Sequence, residues 1–347
     1  MTTPVDERLE RLYAIGGGAG ANRPGFSEAE EEALDLAAAW MEDAGLAVSR
    51  DGVGNVVGRL AGDEPALTEV WTGSHLDSVP EGGKFDGALG VVAGLEAVGR
   101  LGRRPRTLGV VVFRAEETGC HGSRAFVASG GPLPGAYVEA HVEQGSRLAA
   151  AGAPVGVVSG IAGYLRRTVT FDGVAGHAGT TPMAERDDAL VKAAEFVLRA
   201  RVAAGDDAVA TVGQVEVEPG AVNVIPGRVT VSLDLRAPDG ERLDALAREL
   251  GVAPVPRNDP IPMDAGVRAA VAEQLAQRGI AAGELVSWAG HDAGVLAAAG
   301  VPSGMLFVRS LAGGASHTPE EYSSPEDVDL AVEVLAGALA RLSARGS

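Results

Sequence analysis

Apolar residues along the chain alternate between two periods, and the switch between them marks out the elements. Leu34, Leu36, Ala37, Trp40 and Met41 form one stripe at helical spacing, predicting a helix over 28–44. Ser27 with Glu30 three residues on gives that helix a capping-box start. Two β-like runs follow at 54–60 and 67–73, then a helix over 88–101. Residues 107–114 (TLGVVVFR) are almost continuously apolar, as in a strand covered on both faces of a parallel or mixed sheet. Strand, helix and strand with helical covers predict an α/β domain.

The texture changes near Gly160. Residues 165–171 alternate, 186–202 are helical, 208–217 alternate again, 228–236 (RVTVSLDLR) have period two, and 241–250 are helical. Together they predict a compact α+β domain with a one-sided sheet. The α/β texture returns after Met263 and ends in a buried-type strand over 302–308 and a helix over 325–344. The expected organisation is an α/β catalytic domain, residues 1–160 and 264–347. It has a mixed sheet with helices on both faces, and a smaller α+β domain, 161–263, interrupts it. Internal repeats and low-complexity linkers are absent from the sequence.

Composition narrows the class. A length of 347 residues exceeds one comfortable core, while 46% hydrophobic and 22% charged residues are ordinary for a globular protein. The charge sum is 29 − 47 = −18. Such an excess of carboxylates repels phosphate backbones and anionic lipid heads, so neither nucleic acid nor a membrane surface is an expected partner. One cysteine, Cys120, cannot close an internal disulfide. The opening MTTPVDERLERLYAIGGG lacks a basic-then-apolar pattern, and apolar stretches such as 87–99 are shorter than the ~18 residues of a membrane span. A cytoplasmic protein is the expectation.

Chemistry concentrates where predicted strands end. In WTGSHLDSVPEGGKFDGALG (71–90), His75 closes an apolar strand, Asp77 lies two residues on, and Asp86 sits in a glycine-bordered turn opening a helix. An imidazole and a carboxylate at one strand-to-helix edge suit Zn2+ or Mn2+, and Asp77 is near enough to accept the other ring N–H of His75. The alternative is a capping Asp86 and a turn-stabilising Asp77. The next strand runs into Glu116 and Glu117; two adjacent carboxylates there are costly unless cations or protons compensate them. A solvated acidic loop is the competing explanation. His141 (HVEQG) and His317 (SHTPEE) complete three imidazoles and two carboxylates with His75, Asp86 and Glu117. Five ligands exceed one open catalytic zinc but suit two metals sharing a bridging carboxylate.

The motifs GSHLDSVPEGGKFDGALGV, AEETGCHGSR, HVEQG, AGHAGTTPMAERDDAL, AVNVIPGRVTVSLDLR, GHDA and SHTPEE resemble, in order, those of the di-metal amidohydrolases. That family includes N-carbamoyl-L-amino-acid hydrolases, allantoate amidohydrolases and β-ureidopropionases, with aminoacylases and di-zinc carboxypeptidases as wider relatives. The resemblance covers roughly residues 30–340, and the combination of HVEQG, GHAGTTPM and SHTPEE is particular to the ureido-cleaving branch.

The resemblance implies that Asp86 bridges two divalent ions, with His75 and one further residue on one ion and the remainder of Glu117, His141 and His317 on the other. Zn2+ or Mn2+ is expected, and Co2+ or Ni2+ is compatible with these ligands. It implies that Glu116 is the general base toward a metal-activated hydroxide and that Asp77 orients His75. It further implies that His177, in a lid and dimerisation domain, reaches the partner subunit's active site to stabilise the oxyanion. Asn223 and Arg236 match residues holding the substrate carboxylate, and Gln144 matches one near the ureido group. For Arg236 a strand-end salt bridge is the alternative, and for Asn223 a turn before Pro226. The expected enzyme is a homodimer releasing amino acid, ammonia and CO2 from a small ureido acid.

His121 beside Cys120 raises a thiol nucleophile, though a glycine-rich loop explains both. His291 and Asp292 in GHDA are expected only to support the pocket, and Trp40, Trp71 and Trp288 to pack. One departure stands out. Residues 118–140 alone separate Glu117 from His141, where the ureido-cleaving branch has a longer helical excursion. The short form resembles the aminoacylase relatives, which keeps an aminoacylase or dipeptidase as an alternative. A non-catalytic ligand-binding protein on the same scaffold would be marked by loss of Glu116 or of a ligand, and none is missing.

Overall fold

The computed structural model describes residues 3–252, 257–281 and 283–345. The chain divides into two compact units, Met1–Ser159 with Pro262–Ser347, and Gly160–Ile261. In chain order the first unit begins with α1 (Pro4–Ala14), α2 (Glu28–Asp43), β1 (Ala47–Arg50), β2 (Val56–Leu60), β3 (Val70–His75) and α3 (Ala88–Leu101). It continues with β4 (Leu108–Phe113), α4 (His121–Ala128), β5 (Ala136–Val142), α5 (Arg147–Ala151) and β6 (Val155–Ile161). The inserted unit holds β7 (Gly163–Asp172), β8 (Gly176–His177), α6 (Ala189–Ala204), β9 (Val209–Thr211), β10 (Val215–Glu218), β11 (Val224–Ile225), β12 (Arg228–Ala237) and α7 (Gly240–Glu249). After β13 (Ile261–Pro262) come α8 (Ala265–Gln277), β14 (Glu284–Ser287), α9 (Asp292–Ala298), β15 (Ser303–Val308) and α10 (Pro325–Leu342).

The first unit is built on a mixed sheet in the order β1-β2-β4-β3-β5-β15-β6-β13, with β14 also pairing β6. Its centre is parallel: β3 pairs with β4 and β5, and β5 with β15, all in one direction. β2 and β6 flank that centre antiparallel. All residues of β3, β4, β5 and β15 are buried, which is why their sequences are near-continuous apolar runs without alternation. Leu9, Leu34, Leu89, Val271 and Leu335 from α1, α2, α3, α8 and α10 pack one face against Val110, Val138 and Leu306. Each such side chain stabilises the fold by about 1.5–3 kcal/mol when fully buried. On the other face Phe126 of α4 packs on Trp71 and Phe113. Trp40 and Trp71 are core residues. Because four neighbouring strands run the same way, their carboxyl ends lie along one edge, where open α/β sheets place ligands.

In the inserted unit β12 pairs antiparallel with β7 from Arg228↔Asp172 to Ala237↔Gly163. The period-two pattern of β12 turns Val229, Val231, Leu233 and Leu235 inward against α6 and α7. The sequence treats 208–217 as one alternating element, but the structure breaks it into β9 and β10, each pairing separately with β12. The amides of Gly213 and Gln214 donate to Ser232 Oγ at the break, an alternative to ladder bonds that no periodicity reveals. One flank of α6 remains bare: Val191, Leu198 and Val202 are 53%, 63% and 79% exposed. Among the described residues no helix is long and apolar enough to cross a membrane.

Candidate metal centre

The parallel edge delivers the chemistry. His75 is the last residue of β3 and His141 the last but one of β5. Glu116 and Glu117 follow β4, Asp86 precedes α3, and His317 lies in the loop after β15. Asp86 sits in the middle, with each oxygen turned to a different group. Its Oδ1 is 3.1 Å from His141 Nε2 and 3.6 Å from His75 Nε2. Its Oδ2 is 3.2 Å from His317 Nε2, which in turn lies 3.4 Å from Glu117 Oε2. The five residues therefore converge as two triads, His75–Asp86–His141 and Asp86–Glu117–His317, with ligand atoms of each within 4.8 Å of one another. Among the described residues, the imidazole grouped with His75 and Asp86 is His141.

These groups fit a pair of divalent cations. His75 Nδ1 lies 3.2 Å from the Asp77 carbonyl oxygen, and His141 Nδ1 lies 2.9 Å from that of Val142. A carbonyl only accepts, so both Nδ1 atoms donate outward and both Nε2 lone pairs face the Asp86 carboxylate. Lone pair against carboxylate is stable only with a proton or a cation between them. Accordingly His141 Nε2 and Glu117 Oε1 are buried without a hydrogen-bond partner. The same confrontation shifts the titrations. Burial would raise Asp86, but His141, His317 and His75 hold it well below the usual carboxylate range. Burial would lower His141, yet Asp86 outweighs it and the ring rises to about 9; Asp86 also lifts His317 to about 9.

A third grouping, Glu139, His141 and His291, is already satisfied elsewhere. Glu139 accepts from Ser74 Oγ (2.7 Å) and the Ala293 amide (2.9 Å), and His291 Nε2 meets Ser287 Oγ at 2.8 Å. His291 and Asp292 are fully packed in, His291 against the His141 ring.

Glu116 stands beside the first triad, its Oε2 3.9 Å from His75 Nε2. Burial pushes its carboxyl up to about 7. The Cys120 thiol donates to Glu116 Oε1 at 3.4 Å, and burial pushes that thiol far up, which removes it as a nucleophile. His121 turns to the Phe26 ring instead. The loop carrying Glu116 is pinned from two sides. Asp77 accepts from the amides of Glu116 (3.0 Å) and Glu117 (3.1 Å), while facing His75 Nδ1 at 3.3 Å. Glu30 accepts from the amides of Ala115 (2.8 Å) and Phe26 (2.6 Å) and from the Arg114 guanidinium (2.9 Å). This corrects the capping box: Ser27 Oγ does cap the Glu30 amide, but the Glu30 carboxylate holds the loop that carries Glu116 and Glu117.

Backbone strain gathers here. Ala115, Gln144 and His317 adopt left-handed φ of 48°, 55° and 58°, each costing about 1–2 kcal/mol without glycine's freedom. Gly87, at φ 63°, has no room for a side chain, since a Cβ would lie 2.5 Å from His75 Cε1. Gln144 donates from Nε2 to Asp86 Oδ2 at 2.8 Å.

His177, Asn223 and Arg236 belong to the inserted unit. The β8–β11 ribbon sets His177 opposite Val224, and the Ala178 amide donates to the Asn223 carbonyl, so His177 and Asn223 are neighbours. His177 is exposed, and its Nδ1 accepts from the amides of Gly179 (3.0 Å) and Thr180 (3.2 Å). The neutral ring must then carry its proton on Nε2, as an outward donor. Arg236 donates from Nε to Asp234 Oδ1 at 3.0 Å, the strand-end salt bridge that the sequence left as its alternative.

Residues 71–341 match peptidase family M20/M25/M40. The chain is 37% identical over 396 aligned residues to the N-carbamoyl-L-amino acid amidohydrolase of Geobacillus stearothermophilus, covering 95% of each. It is 33% identical to the allantoate amidohydrolase of Bacillus subtilis (strain 168), covering 87% of this chain and 88% of that one. Among solved structures, an amidase of the hydantoinase/carbamoylase family from Burkholderia multivorans superposes with a TM-score of 0.91 at 30% identity, over 99% of this chain and 98% of that one. Aminopeptidase PepT from Bacillus cereus, at 17% identity and a TM-score of 0.71 over 97% of each chain, shares the fold.

Proposed function

The chain belongs to peptidase family M20/M25/M40, and from that premise we propose that it is an amidohydrolase cleaving the ureido C–N bond of an N-carbamoyl-L-amino acid or related ureido acid. One water balances the products: amino acid, ammonia and CO2. The observation that carries this reading is Asp86, whose two oxygens each face a separate triad with the Glu116 carboxylate alongside. His75, Asp86 and His141 would hold one divalent ion, and Asp86, Glu117 and His317 the other. Bound there, the ions supply Lewis-acid polarisation of the ureido carbonyl, a poor electrophile, and lower the pKa of water.

The chain's own groups do the rest. Glu116, whose carboxyl burial raises in the ion-free protein, removes a proton from the attacking water and delivers one to the leaving nitrogen. Asp77 orients His75 and the Glu116 backbone together. His177 offers its Nε2 proton to the developing oxyanion. Asn223 and Arg236 bind the substrate carboxylate, Arg236 turning from Asp234 to do so, and Gln144 contacts the ureido group. A homodimer, in which His177 acts on the partner's site, is supported by the bare apolar flank of α6.

Ammonia release from Mn2+- or Zn2+-loaded protein, with N-carbamoyl-L-amino acids, allantoate and N-acetyl-L-amino acids compared, tests the proposal. Ammonia that a chelator abolishes is the expected result, and the better ureido substrate decides between the two relatives' chemistries. A second reading, an aminoacylase or dipeptidase, is favoured by the short 118–140 segment; amine released from N-acyl substrates alone would establish it and overturn the first.

A further inference from the structure

We propose that Glu321 is a positioning residue of the metal centre, tying the turn that carries Asp86 to the loop that carries His317. The inference rests on the two-triad reading above and extends it to a residue outside both triads. Glu321 is 4% exposed, and both its oxygens are committed. Its Oε1 accepts from the amides of Phe85 (2.8 Å) and Asp86 (2.9 Å), and its Oε2 accepts from Ser316 Oγ (2.7 Å). The turn closes tightly around this carboxylate: a Cβ on Gly83 would lie 2.2 Å from Glu321 Cδ.

The two ends of this tie need it for different reasons. Asp86 presents one oxygen to each triad, so a small rotation of its backbone misaligns both. His317 has a left-handed backbone, and its side chain is 48% exposed, so packing does little to hold it. Its place is set by loop contacts, among them the Glu321 amide to the Thr318 carbonyl and Ser316 to Glu321. A carboxylate held between the two loops fixes the separation of Asp86 and His317 without touching an ion. Residues in this supporting position typically change metal affinity by about 10–100-fold.

The test is a two-site isotherm of Mn2+ and Zn2+ binding to chelator-stripped full-length protein, with metal content and far-UV circular dichroism on each variant. Glu321→Ala is expected to weaken one ion at least tenfold, the one at Asp86–Glu117–His317, and the other less. Glu321→Gln is expected to stay within about threefold of wild type, because its amide oxygen still accepts both amides and its NH2 can donate to Ser316 Oγ. Ser316→Ala severs only the His317 side and is expected to weaken only that ion. Wild-type affinities at both sites in Glu321→Ala and Ser316→Ala would overturn the proposal. So would Glu321→Gln as weak as Glu321→Ala, which would make charge the cause. Wild-type protein that takes up no ions would instead sink the metal-centre reading, and this inference with it. If Glu321→Ala does not fold, the other two variants still decide.

Discussion

The Asp77 carboxylate accepts the backbone amide of Glu116 at 3.0 Å while it faces the Nδ1 of His75 at 3.3 Å. One residue, through its carbonyl and its carboxylate, thus meets the ring that would bind metal and the backbone of the proposed general base. Asp77→Asn keeps the volume but turns an NH2 toward donors that need an acceptor. Metal affinity and kcat are both expected to fall, by about 10–100-fold, in a protein with an unchanged circular dichroism spectrum. A fall in only one of them would show that Asp77 serves His75 or Glu116 but not both.

Glu116→Gln removes the proton acceptor and leaves all five triad residues in place. Turnover is expected to drop by about 10²–10⁴-fold with metal content retained, as measured by ammonia release and by elemental analysis. Retained turnover would take the base role away from Glu116.

Gly87→Ala tests how tightly the first triad is built. The new methyl would meet the His75 ring at 2.5 Å, on a backbone with φ 63° that alanine resists. We expect loss of the ion at His75–Asp86–His141 before loss of the fold, seen as reduced metal stoichiometry in protein that still melts cooperatively. Full stoichiometry would mean that the ring can retreat.

Metal uptake should release protons. In chelator-stripped protein His141 and His317 stand at about 9, so both are protonated at pH 7.5 and must lose that proton to bind an ion. Apparent affinity should therefore rise as pH increases toward 9 and fall below it. Titration calorimetry in two buffers of different ionisation enthalpy should give about one proton or more released per ion. Uptake without proton release would show that these imidazoles are already neutral in the ion-free protein.

His177→Ala should lower kcat, and mixing decides where the residue acts. If His177 completes the partner's site, exchanging His177→Ala with Glu116→Gln dimers yields heterodimers with one intact site. About a quarter of wild-type activity should return. No recovery after confirmed subunit exchange would place His177 in its own subunit's site, and strictly monomeric active enzyme in sedimentation would remove the trans role outright.

Sequence patterning reached the parts of this fold in which one physical cause dominates. Burial on both faces made β4 and β15 legible as apolar runs, and one-sided burial made β12 alternate. His75, Glu117 and His141 could be singled out because polar ligand-type residues at the ends of apolar strands are otherwise costly, and Asp86 and His317 because of the motifs around them. What stayed hidden depends on directions in space. Spacing does not tell which oxygen of Asp86 faces which imidazole. With Ser27 three residues before it, Glu30 reads in sequence as a local cap, while its carboxylate accepts from the amide of Ala115, far along the chain. The second acid of SHTPEE, Glu321, gave a signal in the motif, but acids are abundant in this chain and only the hydrogen bonds set it apart. α1 carries Thr3, Pro4 and Asp6 in capping positions, a local cue to a helix that the apolar stripes do not mark.

The order of the ligands along the chain gives the two triads different histories during synthesis. One is contained between residues 75 and 141; the other waits for His317, which leaves the ribosome after the entire inserted unit. Chains made from the amino end acquire structure in that direction. A nascent chain therefore holds the residues of the first triad long before those of the second. Glu116 is present from the early stage, but both triads are complete only after the inserted unit and the loop carrying His317 have been made.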